Sequence, residues 1–464
     1  MIKQNTANTA KTGYATELIS ETDYAAQMGK RNTRGKVAEF FFLFSNLVGL
    51  LIILVLVGHI VNNAFGMVVI TDRVDPSTLA EQPLEELNND QLVAIIETNI
   101  ANRTRVIIRD RLSQVDPSVF TTEPVVDALA GATLPEGLTT ETINDLSNEQ
   151  IAFILANNLD SNQLVDIIKE QIVQPTIVAS WQLIPSIFNR AAIEEEAATS
   201  FETGRLEFRS WVNLDFISSS ASSRVTTAGL RTALLGTAWI MLITVVTSLT
   251  LGVGAAIYLE EYSQGGRIAQ FLEINIRNLA AIPSVIYGML GLAIFVRVLN
   301  EITSGQIFGL DTANGRTVLS AGLTLALLIL PNLIVTSQEA LRAVPRAVRE
   351  ASFGLGATRW QTVSRQVLPA AIPGILTGVI LSVSRAIGET APLLVVGAST
   401  FIAVDPSGPF SKFTVVPIQI FQWTAEPDQT WRNAAAAAII VLLTVMILLN
   451  LTAIVLRNRL SQQG

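Results

Sequence analysis

Six long apolar stretches, separated by polar segments, dominate the chain. They lie at 40–61, 233–259, 279–296, 318–335, 375–399 and 434–456. Each comes near the ~20 residues that a helix needs to cross ~30 Å of hydrocarbon. The pattern therefore predicts an all-α polytopic membrane protein with six transmembrane helices. Pro283 and Pro331 fall inside two of the stretches, which membrane helices tolerate when neighbouring groups satisfy the freed carbonyls.

A long polar insertion, residues 63–230, separates the first stretch from the second. It carries a degenerate motif three times: LNNDQLVAII at 87–96, LSNEQIAFIL at 146–155 and LDSNQLVDII at 159–168. Each copy opens with Asn, Ser or Asp at capping positions and continues with apolar residues at helical spacing. The copies are unequally spaced, which excludes a regular solenoid. We predict a small, mostly helical domain, for which a spacer, a lid and a docking surface are alternative roles.

The distribution of charge predicts the orientation. With a cytoplasmic N-terminus, the inner segments 1–39, 260–278, 341–372 and 457–464 hold fifteen Lys and Arg residues, against four in the short outer loops. Positive residues favour the cytoplasmic side, so both termini are expected inside. The insertion is then extracytoplasmic, and its 24 acidic against 10 basic residues give it a net charge of −14. The domains are thus a cytoplasmic tail (1–39), a first span (40–61), the insertion (63–230) and a five-span core (231–464).

Composition narrows the class of protein. Half of the residues are hydrophobic and the mean hydropathy is +0.45, too apolar for an ordinary soluble enzyme. The chain has no cysteine, which excludes disulfides, thiol catalysis and thiolate metal sites. The single histidine, His59, is interpreted as a packed or interfacial residue. The polar N-terminus and the long first apolar stretch do not fit a cleavable signal peptide.

The sequence lacks the motifs of a nucleotide-binding or metal-dependent enzyme. It contains no GxxxxGK[ST] motif, no Rossmann glycine pattern and no HExxH. No cofactor is expected on this chain, no nucleic-acid partner is indicated, and the chain is not expected to be an enzyme. Active transport would draw its energy from another chain or from an ion gradient.

Two opposite charges, Arg385 and Glu389, lie within the fifth apolar stretch. A charge near the bilayer centre costs roughly 2.5–3.5 kcal/mol, so it needs a partner, a wet cavity or a function. Four residues apart, the two side chains lie on one helix face and can meet. Arg385 is ten residues beyond Ile375, or about 15 Å along a helix, which is close to the midplane. The pair is either a transient ligand for an anion on its way across or a structural ion pair.

The loop between the fourth and fifth stretches, residues 339–374, carries a more specific signal. It reads EALRAVPRAVREASFGLGATRWQTVSRQVLPAAIPG. Its residues Glu350, Ala351, Ser352, Gly356 and Leu368-Pro369 resemble the EAA loop of ABC importer permeases. That resemblance implies a short coupling helix which docks in a groove of an ATPase subunit. Small side chains let such a helix seat closely, and a glycine ends it without a Cβ penalty.

Three arginines of this loop, Arg342, Arg346 and Arg349, are expected to meet acids or phosphates at the cytoplasmic face. Two positions depart from the family pattern. Gln366 stands where an aliphatic residue is usual, and Ser352 replaces the second alanine. A solvated basic amphipathic loop is the alternative interpretation of the segment.

The fifth stretch narrows the resemblance further. RAIGETAPLL at 385–394 resembles the signature of the PstA-type permeases of phosphate-specific ABC importers. GVGAAIYLEEYSQGGR at 252–267, NLAAIPSVIYGMLGLAIF at 278–295 and ALLGT at 233–237 resemble the same type. The likeness is close over about 205–459 and leaves the insertion uncovered. Val335 stands near a point where some members carry an arginine.

The resemblance implies an assembly and a direction of transport. The chain would be one of two permease subunits in the plasma (inner) membrane, beside a PstC-type permease, an ATPase dimer that binds ATP and Mg²⁺, and an extracytoplasmic phosphate-binding protein. Membrane lipid would surround the spans, and phosphate would be the solute. Two alternatives stay open: a permease for another solute or oxyanion, and a membrane sensor built on the insertion.

Overall fold

The structure is a computed structural model of the 464-residue chain. It describes residues 21–113, 115, 120–201, 204–263, 266–309, 315–398, 402 and 404–461. Residues 1–20 of the predicted tail, a few positions of the insertion and Ser399 at the end of the fifth stretch therefore lie outside the described residues. The chain divides into two compact units, Met1–His59 and Ile60–Gly464.

The first apolar stretch lies within one long helix, α1 (Glu21–Ala64). Most side chains from Ala38 to His59 are exposed, whereas Ala64 at the end of the helix is buried. A helix that is apolar all round and has no protein cover suits a lipid environment. The helix ends where the chain turns directly into a strand.

The insertion begins and ends with a sheet that the sequence analysis did not predict. Its strands are β1 (Phe65–Thr71), β2 (Thr176–Gln182) and β3 (Arg205–Ser210). They form an antiparallel sheet in the order β2-β1-β3. The central strand β1 is mostly buried and largely apolar, whereas β2 alternates between exposed and less exposed positions and β3 has only exposed and partly buried ones. The insertion, which was predicted to be mostly helical, therefore combines this sheet with helices that lie between the strands and after β3.

A helical subdomain fills the chain between β1 and β2. Its helices are α2 (Asn89–Ile100), α3 (Thr104–Leu112), α4 (Val125–Ala128), α5 (Asn148–Asn158) and α6 (Ser161–Ile168). They enclose a hydrophobic core of their own that runs from Leu84 to Val173. The chain enters and leaves at one point, where the Arg73 N–H donates to the Val173 carbonyl over 2.9 Å.

The three motif copies form three helix starts of the same kind. Asn88, Ser147 and Asp160 each cap the helix that follows, and the side-chain oxygen of a glutamine three residues later accepts a hydrogen bond from the cap residue's backbone N–H, which completes a capping box. Each box satisfies N–H groups that a helix end leaves unpaired. The prediction of three capped helices at these motifs is therefore confirmed.

Shorter helices line the sheet and lead into the core of the protein. They are α7 (Leu183–Phe188), α8 (Arg190–Ser200) and α9 (Leu214–Ser218). The sheet shares a buried cluster with the membrane helices, since Val68 and Ile70 belong to the same cluster as Trp423 and four alanines of α20, namely Ala434, Ala435, Ala437 and Ala438. The sheet and the five-span core are therefore one packed body, and only the helical subdomain has a separate core.

The remaining helices build the core. They are α10 (Arg231–Ile257), α11 (Arg267–Ala280), α12 (Ser284–Gly291), α13 (Asn300–Thr303), α14 (Val318–Arg342), α15 (Arg346–Gly354), α16 (Arg359–Thr362), α17 (Leu368–Ile387), α18 (Ala391–Val396), α19 (Val416–Ala425) and α20 (Thr430–Ser461). Wider helical turns continue α10 to Tyr262, α12 to Val298 and join α16 to α17.

Five helical segments among the described residues are long and apolar enough to cross a membrane, and one bent pair adds a sixth. Four are α1, α10, α14 and α20, and the fifth is Arg359–Ile387. α14 is the most enclosed of them and packs on both α10 and α17. These helices confirm the prediction of an all-α, multi-pass membrane protein.

Two of the predicted spans are wrong as single helices. The third, 279–296, spans a break: α11 and the helix that starts at Ser284 meet at 106°. Pro283 has no N–H and biases the residue before it away from helix, so the helix restarts after it. The fifth, 375–399, ends at Ile387 and resumes as α18. Pro392 would clash with the carbonyl of Gly388 if that helix continued.

Candidate translocation and coupling sites

Arg385 lies in the last turn of α17, at the break before α18. α17 packs antiparallel on α14: Gly374 faces Ala340, and Gly378 faces Thr336. Continuing this register places Arg385 about level with Ile329, close to the midpoint of α14. The sequence analysis placed Arg385 within an uninterrupted helix, and that placement is wrong. Arg385 instead lies in the last turn of a helix that stops roughly halfway along α14.

Arg385 and Glu389 come together across this break. The distance between Arg385 Nε and Glu389 Oε1 is 3.4 Å. Arg385 is 47% exposed and Glu389 19%. No other hydrogen bond of the Arg385 side chain is present within the described ranges. A long, single contact leaves most of the guanidinium donors free for another acceptor.

Neighbouring helices hold the break in place. A Cβ on Gly288 of α12 would lie 2.7 Å from Pro392 Cα, so only glycine permits the close packing of α12 on α18. The Tyr287 hydroxyl donates to the Leu279 carbonyl over 2.7 Å and closes the bend between α11 and α12. On the other side, the Ser384 hydroxyl donates to Asn450 Oδ1 of α20 over 2.7 Å. The arginine thus sits on a fixed element, and its own side chain is only lightly held.

The loop with the EAA resemblance forms a helical hairpin. α15 holds Glu350, Ala351 and Ser352, and Gly356 follows it with φ of +81°. That left-handed conformation favours glycine. The Ser352 and Thr362 hydroxyls are 2.9 Å apart and join the two arms of the hairpin. Ser352, a departure from the family pattern, therefore has a defined contact.

Two acids that the sequence analysis did not single out anchor this hairpin. Arg349 forms an ion pair of 2.6 Å with Glu261 and also donates to the carbonyls of Val344 and Leu341. Arg342 pairs with Glu260 over 2.8 Å. The acids follow the second span in the segment YLEEY, and their only sequence signal was two adjacent charges at the end of an apolar stretch. They connect α15 to the end of the second span.

The outer surface of the hairpin is partly apolar. Phe353 is 47% exposed, Leu355 90% and Trp360 63%. Glu350 and Ala351 are also exposed. Leu368 and Pro369 instead lie in the first turn of α17, where Leu368 packs against the core. Large apolar side chains grouped on a polar loop are typical of a surface that another protein covers.

Comparison with known proteins gives a consistent result for this part of the chain. Residues 248–462 match the family of binding-protein-dependent transport system inner membrane components. The chain is 32% identical over 215 residues to the probable ABC transporter permease protein YqgI of Bacillus subtilis, covering 46% of this chain and 68% of that one. A solved structure of the MetNI methionine ABC transporter in an inward-facing conformation is similar over 48% of this chain and 93% of that one, with 15% identity and a TM-score of 0.37.

The phosphate transport system permease protein PstA of Yersinia pestis is 31% identical over 226 residues, covering 48% of this chain and 71% of that one. The family match begins within α10, so it leaves the insertion uncovered. It includes both broken helices, the Arg385–Glu389 pair and the hairpin that begins at α15. On these similarities, the chain belongs to the PstA-type ABC transporter permeases, multi-pass inner membrane subunits that transport and are not enzymes.

Proposed function

We propose that this permease moves inorganic phosphate across the inner membrane and that Arg385 is a transient ligand on the way. The observation that carries the proposal is the half-exposed side chain of Arg385 at a helix break, level with the middle of α14. Discontinuous helices near the bilayer midplane are typical of transport sites. The RAIGETAPLL segment and the phosphate transport named for relatives such as the Yersinia protein support phosphate as the solute.

The chemistry of the Arg385–Glu389 pair suits a phosphate ion that binds briefly and is released, rather than one that stays bound. A planar guanidinium can hold two oxygens of a tetrahedral phosphate dianion at once. Glu389 competes with phosphate for the same guanidinium and so favours release. The 3.4 Å contact between Arg385 and Glu389 is long for a hydrogen bond, so its exchange for a phosphate oxygen loses little.

Energy for transport would come from an ATPase dimer that docks on α15. ATP and Mg²⁺ bind to that dimer, and this chain supplies only the docking surface. Phe353, Leu355 and Trp360 form its apolar part. The Arg349–Glu261 pair ties α15 to the end of the second span, so a displacement of α15 is passed to the membrane helices. A coordinated movement of the membrane helices of the two permeases would open the pathway first to one side of the membrane and then to the other.

The full importer would contain three further components. A second, PstC-type permease completes the pathway beside this one. An extracytoplasmic phosphate-binding protein delivers the anion to the outer side. The predicted orientation, with both termini in the cytoplasm, would put α15 on the same side as the ATPase, as its docking role requires.

Reconstitution of the complex in proteoliposomes tests the function. We expect phosphate-loaded binding protein to stimulate ATP hydrolysis and to drive uptake of radiolabelled phosphate, while sulfate does neither. Stimulation and uptake with sulfate but not with phosphate would assign the permease to another oxyanion. A complex that hydrolyses ATP without moving either anion would contradict a transport role.

A further inference from the structure

The short helix α7 carries an apolar stripe that no other part of the described chain covers. Ile184 is 57% exposed, Ile187 60% and Phe188 79%. Their spacing of three and four residues places them on one helix face. Ser186, on the opposite face, is buried and accepts a hydrogen bond from the Met67 N–H over 2.9 Å. The helix is therefore fixed against β1 with its apolar stripe turned outward.

Hydrogen bonds set the height of α7 relative to the membrane. The Ile184 N–H donates to Asn62 Oδ1 over 2.8 Å, and Asn62 Nδ2 donates to Gln182 Oε1 over 2.7 Å. Gln182 Nε2 also donates to Asn63 Oδ1 over 2.7 Å. Asn62 directly follows the apolar stretch that ends at Val61. α7 therefore begins within one helical turn of the point where the first span leaves the hydrocarbon.

The opposite edge of the same sheet gives a second measure of this height. The Trp211 N–H at the end of β3 donates to the Ala64 carbonyl over 3.1 Å. Trp423 and Trp431 stack with ring centroids 5.8 Å apart, just before and within the first turn of the last span. Tryptophans are enriched at the membrane–water interface. Trp431, which is only partly buried, packs against the buried cluster that holds Trp211, so this end of the sheet lies near the start of the last span.

We propose that Ile184, Ile187 and Phe188 insert into the extracytoplasmic leaflet, at the boundary between headgroups and acyl chains. The occupant of the stripe is lipid because α7 is hydrogen-bonded to Asn62, which directly follows the apolar stretch that ends at Val61. A short helix with an apolar stripe at this depth is a membrane-interface anchor. It fixes the membrane end of the sheet, from which the helical subdomain projects.

Site-specific fluorescence in lipid tests the anchor. The chain has no cysteine, so Phe188→Cys, at the most exposed stripe position, gives a single labelling site. The full chain, purified with its associated subunits, is labelled with an environment-sensitive NBD probe and reconstituted in phosphatidylcholine vesicles. Glu195→Cys, on the exposed surface of the next helix α8, is the matched control. We expect blue-shifted emission at 188, lost when the vesicles contain lipids with a spin label near the headgroup end of the acyl chain, and no change at 195.

Two results would overturn the anchor. Water-like emission at 188 would show that the stripe stays outside the bilayer. Blue-shifted emission without quenching by the labelled lipid would show that a protein subunit covers it. Ile187→Cys repeats the measurement should the Phe188 variant not assemble. None of these outcomes depends on which solute the permease carries.

Discussion

At the scale of single residues, Arg342 at the end of α14 and Arg349 in α15 differ in how exposed they are. Arg349 and Glu261 are 17% and 9% exposed, whereas Arg342 and its partner Glu260 are 57% and 19% exposed. Removing one member of a buried pair leaves a buried charge and costs about 3–5 kcal/mol. An exposed pair contributes about 0–1 kcal/mol.

This difference in burial predicts different effects of the same substitution at the two arginines. We expect Arg349→Met to lower the amount of folded protein in the membrane sharply, and Arg342→Met to leave it nearly unchanged. The double variant Arg349→Met/Glu261→Met should recover much of the loss, since it leaves no unpaired charge. Membrane abundance by immunoblot measures all three. Equal abundance of the two single variants would contradict the anchoring role of Arg349.

Two glycines of the hairpin allow a second comparison. Gly356 has φ of +81°, and a side chain there costs roughly 1–2 kcal/mol. Gly354, inside α15, has an ordinary helical conformation and open space around it. We expect Gly356→Ala to reduce ATP hydrolysis stimulated by phosphate-loaded binding protein, and Gly354→Ala to retain it. Full stimulation in the Gly356 variant would show that the hairpin turn does not control docking.

At the scale of elements, the helical subdomain has a hydrophobic core of its own, whereas the sheet shares a core with the membrane helices. The subdomain has its own core and joins the chain at one point, whereas β1 and β2 pair directly, with Thr71 opposite Thr176. We expect replacement of residues 74–174 by a short Asn-Gly turn to leave a permease that inserts and assembles. Removal of 74–188, which also deletes β2 and α7, should destabilise the protein because it uncovers Val68 and Ile70. Membrane abundance and co-purification of partner subunits distinguish the two deletions.

Loss of assembly on the shorter deletion would show instead that the subdomain is integral. Its contacts with the segment before α10 would be the first explanation. There, Glu170 pairs with Arg111 over 3.1 Å and accepts a hydrogen bond from the Ser223 hydroxyl, also over 3.1 Å. Outside this network, Lys169 donates to Glu85 over 2.6 Å and holds the pKa of that carboxyl below its usual value.

At this scale, features set by neighbouring residues could be predicted from the sequence, whereas features set by distant residues could not. The capping boxes at Asn88, Ser147 and Asp160 could be predicted because the cap and its glutamine lie within one turn. The sheet could not, since β1 and β2 are separated by the whole helical subdomain. The break after Ile387 could not either, because membrane helices often tolerate glycine and proline.

In the candidate sites, too, contacts between nearby residues could be predicted and contacts between distant residues could not. Spacing was enough to predict that Arg385 and Glu389 meet, and the structure brings them within 3.4 Å. The partners of Arg342 and Arg349 were not predicted, because Glu260 and Glu261 lie more than eighty residues earlier. Contacts across one helical turn can be predicted from residue spacing, whereas contacts between spans depend on how the helices of the bundle pack.

At the scale of the whole molecule, the orientation remains a prediction from the excess of positive charge in the inner segments. Thr140 lies on the exposed surface of the helical subdomain, and Ser461 lies at the end of the last helix. We expect a membrane-impermeant maleimide to label Thr140→Cys in intact cells and Ser461→Cys only after permeabilisation. The chain's lack of cysteine makes each a single site. The reverse pattern would place α15 outside and remove the docking hypothesis.

Transport through the whole molecule is expected to depend on the charge and shape of one side chain. Arg385→Gln removes the positive charge, and Arg385→Lys keeps the charge but loses the two-pronged geometry of the guanidinium. A structural ion pair makes a different forecast. Exchanging both charges of such a pair for apolar residues often preserves stability, so the double variant Arg385→Met/Glu389→Met would keep both abundance and transport.

The most direct test is therefore phosphate uptake, normalised to membrane abundance, in these three variants beside the unmodified protein. The anion-ligand account expects normal abundance with uptake abolished in Arg385→Gln, little recovery in Arg385→Lys and none in the double Met variant. Phosphate uptake by the Arg385→Met/Glu389→Met protein at the unmodified rate would contradict it.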